Sequence, residues 1–203
     1  FMLSDISSLT SVVLRFAHIA FGILWLGNLY FFVLVNAPFQ KEIDDATKAK
    51  VNPQLLLRGL FWAKRASLYT MLFGWALFGH KYGSQGLLRE GAAISNRAIW
   101  VLAGGILGTV MWFNVWFIMY PRYRQVLLGL AKGELPADAK VLVASAAQAS
   151  SFNFYASGPL VFAMIVPNNF PGLSPYAMVM AAVVGIGFWF GMNKRANKFK
   201  PLA

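Results

Sequence analysis

The sequence predicts an all-α integral membrane protein, a five-helix bundle with the N-terminus outside and the C-terminus in the cytoplasm. Five long apolar stretches fit into 203 residues, of which 58% are hydrophobic and 12% charged. Soluble proteins carry about 25% charged residues, and a bilayer crossing needs about 20 mostly apolar residues. We therefore expect a single helical transmembrane domain over residues 1–203, with spans at approximately 10–37, 60–80, 97–120, 141–166 and 174–193.

The basic residues predict the orientation, because short cytoplasmic loops are enriched in Lys and Arg. Fourteen of the 18 lie after spans 1 and 3, just inside span 2, or in the tail. The other four are Arg15, Lys81, Arg89 and Arg97. With an odd number of spans, this bias puts the tail in the cytoplasm. The localisation that we expect is the bacterial cytoplasmic (inner) membrane, crossed several times.

The connections between spans carry their own signals. Segment 41–59 mixes charged residues with leucines and contains Pro53, which predicts a bent surface helix leading into span 2. Asp44 and Asp45 form an acidic start for that helix. Segment 122–133 is basic and amphipathic, so we expect it to lie at the level of the lipid headgroups.

Two basic residues, Lys64 and Arg65, lie one turn inside span 2. Long basic side chains near the end of a span extend toward the headgroups, and this is the interpretation that the sequence favours. The alternative is that they anchor an anionic lipid or a haem propionate.

Small residues are predicted to join the helices, because lipid gives no hydrophobic drive for helix association. Span 3 offers Gly104 and Gly108, and span 5 offers Gly187 and Gly191 at the same spacing of four. Span 4 begins with a surface of alanines and serines over 144–151. Close helix packing is the expected role of these residues, with a flat cofactor ring against a glycine as the alternative.

Four amide side chains lie at depth in the predicted spans: Asn28, Asn114, Gln148 and Asn153. An amide in hydrocarbon requires a hydrogen-bond partner. Mutual bonds that fix the helix register are one interpretation. The other is a polar pocket for a quinone, a haem edge or another small ligand.

The two histidines, His18 and His80, carry the main chemical option, because both are predicted near the outer face. Two imidazoles on neighbouring antiparallel helices are a ligand set for haem b. Arg15 shares the face of His18 and is positioned for a propionate, while Gly22, one turn deeper, leaves room for a flat ring. His18 as a single functional residue, and histidines that only mark the interface, remain as alternatives.

Composition excludes several other classes. No cysteine is present, so this sequence has no disulfide, iron–sulfur cluster, thiolate metal site or c-type haem attachment. The net charge of +11 comes from small groups at span ends, which lack the basic faces and stacking platforms of nucleic-acid modules, so no nucleic-acid partner is expected. No catalytic constellation is evident, and the chain is at most a redox subunit of a larger enzyme.

Several stretches resemble a known family. The run from His18 to Phe32 is similar to the first helix of the membrane domain of bacterial membrane-bound urate hydroxylases, in which a helical membrane domain precedes a cytochrome c domain. Three later stretches fit the same family: Arg58–Trp62, Trp112–Pro121, and Asn153 followed by Ser157–Met164 and Asn169–Pro171. The resemblance spans most of 15–171 and implies a membrane domain from a redox setting.

The sequence also departs from that family. It contains no Cys-x-x-Cys-His, so the resemblance covers the membrane domain without the cytochrome domain. Where the family leads us to expect Ser-Arg-x-Asn, the chain has Ser150-Ser151-Phe152-Asn153. Urate oxidation is therefore transferred to no residue of this chain.

Three functions remain open from the sequence. The first is a small integral subunit of a bacterial respiratory or photosynthetic electron-transfer complex that binds haem b near the outer face. The second is a cofactor-free accessory subunit that stabilises a membrane protein complex. A small transporter lined by the deep amides is the third, and the absence of an internal repeat disfavours it. The expected partners are other membrane protein subunits and lipids.

Overall fold

The computed structural model describes residues 2–199 of the chain, with side chains from residue 5 onward. Seven α-helices make up most of this range: α1 (Met2–Tyr30), α2 (Ala37–Glu42), α3 (Asp45–Phe78), α4 (Asn96–Phe113), α5 (Tyr120–Lys132), α6 (Ala139–Asn169) and α7 (Ala177–Ala196). Three six-residue π-helical segments extend them. Phe31–Asn36 joins α1 to α2, Gly79–Ser84 follows α3, and Asn114–Met119 joins α4 to α5. The all-helical prediction is confirmed.

Four helical stretches in the described part of the chain are long and apolar enough to cross a membrane: Asp5–Glu42, Asn96–Lys132, Ala139–Asn169 and Ala177–Ala196. They correspond to the predicted spans 1, 3, 4 and 5. The predicted second span, 60–80, is not among them, although it lies almost entirely in α3 and the π-helical segment after it. Lys64 and Arg65, with several polar neighbours, lower the mean hydropathy of α3 below that of the four membrane-length stretches.

Helix α3 nevertheless lies antiparallel to α1 and α2 along nearly their whole length. The contacts run in order from one end of the pair to the other: Ser7 with His80, His18 with Thr70, Phe32 with Gly59, and Gln40 with Asn52. At the last of these positions two amide hydrogen bonds, of 2.9 and 2.7 Å, join Gln40 to the buried Asn52. The two helical stretches therefore form one continuous hairpin.

The start of α3 differs from the expected bent surface helix. Helix α2 ends at Glu42, and α3 then runs without a break from Asp45 through Pro53 to Phe78. The predicted acidic start is confirmed, because Asp44 is the N-cap and its Oδ1 accepts a 2.8 Å hydrogen bond from the backbone N–H of Thr47. This hydrogen bond is the main reason that the pKa of Asp44 is lowered.

Helix α6 is the centre of the bundle and packs against α4, α5 and α7. Three large side chains are almost completely buried: Phe154 of α6, and Met111 and Trp100 of α4. On the α4 side, Gly104 leaves space that Met164 and Ala163 occupy, since a Cβ there would lie 2.6 and 2.9 Å from their side-chain atoms. The predicted role of Gly104 in close packing is confirmed.

The close contact between α6 and α7 falls on different glycines from those expected. Nothing lies within 4 Å of a Cβ built on Gly187 or Gly191, so the prediction that this pair packs closely against another helix is wrong. The glycines that meet are Gly158 of α6 and Gly185 of α7. The spacing of four in α7 identifies a face of the helix, but that face is exposed.

A short antiparallel hairpin interrupts the helices between α3 and α4. Strand β1 (Arg89–Glu90) pairs with β2 (Ala93–Ile94) across a two-residue turn. Gly91 opens that turn with a φ of +64°, a conformation that glycine adopts readily. Ser95 then caps α4 by accepting a hydrogen bond from the N–H of Ala98. The hairpin was not predicted from the sequence.

Candidate functional site

His18 lies on the face of α1 that packs against α3. Its Nδ1 is 2.9 Å from the carbonyl oxygen of Thr70. A carbonyl oxygen only accepts, so Nδ1 carries the proton and Nε2 retains its lone pair. Gly74 makes room for the ring, because a Cβ there would lie 2.8 Å from Cε1 of His18. No hydrogen bond reaches Nε2 from the residues that the structure describes.

His80 is held at a different level of the same helix pair. Its Nε2 donates to the backbone oxygen of Ser7 at 3.1 Å. Ser7 and His18 are eleven residues apart on α1, which is about 16 Å along the helix axis. The structure therefore does not bring His18 and His80 together. Both axial ligands of a haem must reach one iron atom, so one haem shared by this pair does not fit.

Gly22 and Arg15 also occupy surroundings that differ from those expected. A Cβ on Gly22 would lie 3.8 Å from the methyl group of Thr70, so α3 fills the space assigned to a flat ring. Arg15 lies close enough to Lys81 for its positive charge to lower the pKa of that lysine. Burial lowers the pKa of Lys81, and the positive charges of Arg15 and Arg97 lower it further. The predicted outer end of the bundle thus gathers three cations from three different segments.

The deep amides are brought together only in part. Nδ2 of Asn114 donates to Oδ1 of Asn153 at 2.9 Å. Nδ2 of Asn153, in turn, donates to the carbonyl oxygen of Met111 at 2.9 Å. Asn153 is fully buried, with 0% of its surface exposed. The prediction of mutual bonding is confirmed for this pair, which joins α6 to the junction of α4 with its π-helical segment.

The other two amides do not belong to this cluster. Asn28 donates to the carbonyl oxygen of Leu24 in its own helix. Gln148 is exposed and lines, with Asn114, a shallow groove of about 360 Å³ between α4 and α6. An internal polar channel lined by all four amides is therefore not what the structure shows.

An aromatic cluster near the centre of the bundle was not predicted from the sequence. The hydroxyl of Tyr30 donates to Oγ of Ser157 at 3.1 Å, and Ser157 donates to the carbonyl oxygen of Phe154. The ring of Trp189 lies 4.2 Å from the ring of Tyr30, centroid to centroid. These residues tie α1, α6 and α7 together. Aromatic content alone gave no signal for which rings meet.

One buried donor near this core lacks a protein partner. The indole Nε1 of Trp112 is buried and forms no hydrogen bond with any residue that the structure describes. Within the same part of the chain, no group of three or more His, Cys, Asp or Glu residues has the arrangement of a metal site. The described residues offer helix packing, amide pairing and two imidazoles that hydrogen bonds orient, those of His18 and His80.

These features define the class of protein: an apolar helical bundle in which four helical stretches are long and hydrophobic enough to span a membrane. The model of the family described as urate oxidase N-terminal matches residues 90–198, more than half of the chain. The chain belongs to this family. No curated protein and no solved structure matches it.

The family match covers only some of the stretches that resemble urate hydroxylases in the sequence. The stretches at 112–121 and 153–171 lie inside the matched range. The stretch from His18 to Phe32, and Arg58–Trp62, lie before it. His18 and its contact with α3 therefore come from the part of the chain that the family match does not cover.

Proposed function

We propose that this chain is a small integral membrane subunit of a bacterial respiratory or photosynthetic electron-transfer complex, located in the inner membrane. The observation that carries the proposal is the combination of membrane-length apolar helices with membership of a family named for urate oxidation. In this proposal the helices provide the membrane anchor and the binding surface for other subunits.

The pairing of α1 with α3 supports five crossings rather than four. Helix α3 and the π-helical segment after it contact α1 and its π-helical extension from the level of Ser7 to that of Phe32. Where α1 crosses the bilayer, α3 must therefore cross beside it, although its composition alone does not identify it as a span. Five crossings put the two termini on opposite sides, and the basic residues favour an external N-terminus.

His18 is the residue that we propose as the ligand of a haem b. A histidine that ligates a metal commonly donates its second ring N–H to a carbonyl group, which fixes the tautomer and the ring orientation. The hydrogen bond from Nδ1 of His18 to the carbonyl oxygen of Thr70 has this form, and Gly74 leaves space for the imidazole ring of His18. A haem bound there supplies one-electron transfer. His80 has no part in this proposal, because its ring is bonded at the level of Ser7, which lies about 16 Å from His18 along α1.

The test is a reduced-minus-oxidised absorption spectrum of the protein purified in mild detergent. We expect a Soret shift and a b-type α-band that are lost in His18→Ala and retained in His80→Ala. The two substitutions remove the same side chain, so His80→Ala is the matched control. A featureless spectrum of the unmodified protein, or equal loss in both variants, contradicts haem ligation by His18.

A cofactor-free accessory subunit is the second candidate. The amide pairs support it, because Asn114 with Asn153, and Gln40 with Asn52, satisfy each other rather than face a ligand. In this case the purified protein has no visible absorption band. It migrates on a native gel with partner subunits in fixed stoichiometry.

A further inference from the structure

A groove lies between α3 and α5, at the predicted cytoplasmic side of the bundle. It encloses about 580 Å³. Its walls come from α3, from Trp116 in the π-helical segment before α5, from α5 itself and from the loop that follows it. The charged and aromatic residues that line it are Lys64, Trp116, Tyr120, Arg124, Lys132 and Glu134.

Lys64 is held in this groove between two aromatic rings. Its Nζ lies 4.2 Å from the ring centroid of Trp116 and 4.0 Å from that of Tyr120. The indole N–H of Trp116 donates to the carbonyl oxygen of Lys64 at 3.0 Å, which fixes the indole against α3. Cation–π contacts of this kind hold an ammonium group in place without neutralising its charge.

The cation of Lys64 has no carboxylate partner among the described residues, where the one ion pair joins Lys48 to Asp45. Arg124 and Lys132 also line the groove, and Glu134 is its one acidic residue. Three cations against one carboxylate leave the groove positive. Such a surface favours an anion, and a phosphate accepts hydrogen bonds from several Lys and Arg side chains at once.

The far wall of the groove is fixed by the backbone rather than by flexible side chains. Gly133 ends α5 with a φ of +76°, the left-handed conformation that commonly closes a helix. The N–H of Glu134 then donates to the carbonyl oxygen of Gly129 at 2.9 Å. A Cβ on Gly129 would lie 2.6 Å from the backbone oxygen of Glu134, so this tight return of the chain requires glycine there.

An apolar surface leads toward the groove along α4 and its π-helical extension. Four large side chains on this stretch are exposed: Ile106, Val110, Phe113 and Phe117. Trp116 and Tyr120, at the end of the stretch, are residue types enriched where a membrane meets water. A ligand with a negatively charged head and an apolar tail matches the positive groove and the apolar surface beside it.

We propose that this groove binds the phosphate-bearing headgroup of an anionic phospholipid, with Lys64, Arg124 and Lys132 as its contacts. The acyl chains extend along the exposed apolar side chains of α4. The inference rests on the proposed membrane location, but it concerns a groove whose lining does not include His18.

The experiment compares ligands on the full chain purified in mild detergent. Native mass spectrometry and thermal unfolding follow titration with phosphatidylglycerol, with phosphatidylcholine and with soluble glycerol phosphate. The test variant is Arg124→Gln with Lys132→Gln, since both side chains are exposed and their loss leaves the core intact. The matched control is Lys50→Gln with Lys198→Gln, which removes the same charge from exposed positions outside the groove.

We expect phosphatidylglycerol to bind and to raise the unfolding temperature, with phosphatidylcholine far weaker. The test variant should lose about tenfold or more in affinity for phosphatidylglycerol, and the control should change little. Lys64→Gln should weaken binding in the same direction as the test variant.

Three results overturn the proposal. Equal losses in test and control variants indicate only general attraction to the basic surface. Equal binding of glycerol phosphate indicates a site for a free phosphate rather than for a lipid. No loss in the test variant removes the groove from consideration. Failure of the membrane location itself is seen separately, as a protein that stays in solution without detergent.

Discussion

Gly158 of α6 and Gly185 of α7 bring two helix backbones into direct contact. A Cβ on Gly158 would lie 2.5 Å from the carbonyl carbon of Gly185, and one on Gly185 would lie 2.7 Å from that of Gly158. Backbone atoms on both sides leave no flexible side chain to move aside. This crossing therefore depends on the absence of two side chains.

The first prediction is that Gly185→Ala destabilises the bundle, whereas Gly187→Ala does not. Overpacking a tight contact costs about 1–3 kcal/mol. At Gly187 nothing lies within 4 Å of the added Cβ, and alanine is the better helix former by about 1 kcal/mol. Unfolding in detergent, followed by circular dichroism, measures both. Equal effects of the two substitutions would show that α6 and α7 do not meet at Gly185.

The second prediction concerns the amide pair between Asn114 and Asn153. A double-mutant cycle with Asn114→Ala and Asn153→Ala should give a coupling energy of about 0.6 kcal/mol, the mean for hydrogen bonds between membrane helices, and no more than the maximum of about 1.7 kcal/mol. The control cycle combines Asn28→Ala with Asn153→Ala. Asn28 bonds to its own helix and shares no partner with Asn153. The control should give a coupling energy near zero. Additive effects in the first cycle would contradict the 2.9 Å bond.

The third prediction is that α3 crosses the membrane. The chain has no cysteine, so single cysteines can be introduced without interference. In intact cells an impermeant maleimide should label Ser84→Cys but not Ala46→Cys, because these exposed positions lie at opposite ends of the α3 region. Lys198→Cys should be labelled only after permeabilisation. Labelling of Ser84→Cys and Ala46→Cys from the same side would show that α3 does not cross.

The fourth prediction is a pH dependence that originates at Asp44. Its pKa is lowered in the folded chain, chiefly by the hydrogen bond from the N–H of Thr47. The stabilisation from this cap is therefore complete above the unfolded pKa, and it is lost as the pH falls through the lower, folded value. Asp44→Asn should flatten the dependence of the unfolding temperature on pH in this acidic range.

Asp138 provides the matched control for that prediction. It is the N-cap residue of α6, but its side chain makes no capping hydrogen bond. Asp138→Asn should leave the pH profile close to that of the unmodified protein. If both substitutions flatten the profile equally, the cap at Asp44 is not its source.

The local features of this fold were readable from the sequence because they depend on nearby residues. Long apolar runs predicted α1, α4, α6 and α7, and an aspartate before a charged segment predicted the N-cap at Asp44. The close approach at Gly104 also followed from a small residue in an apolar helix. Each of these depends on composition within a few turns.

Contacts between distant segments were less accessible. Two histidines on antiparallel neighbours suggested a shared ligand, but the register of α1 against α3 puts His18 beside Thr70 and His80 beside Ser7. A shift of a few turns between two helices changes no sequence pattern, yet it decides which side chains meet.

The sequence by itself determined the helical class, the apolar character of the spans and the asymmetry of the basic residues, because composition sets the partition of a segment between lipid and water. Only the tertiary structure decided which small and polar residues are in contact: Gly158 with Gly185, Asn114 with Asn153, and Lys64 with two aromatic rings. The physical reason is that helix association in an apolar solvent depends on close packing and hydrogen bonds at particular points. Those points are set by rotation and register, which hydropathy does not encode.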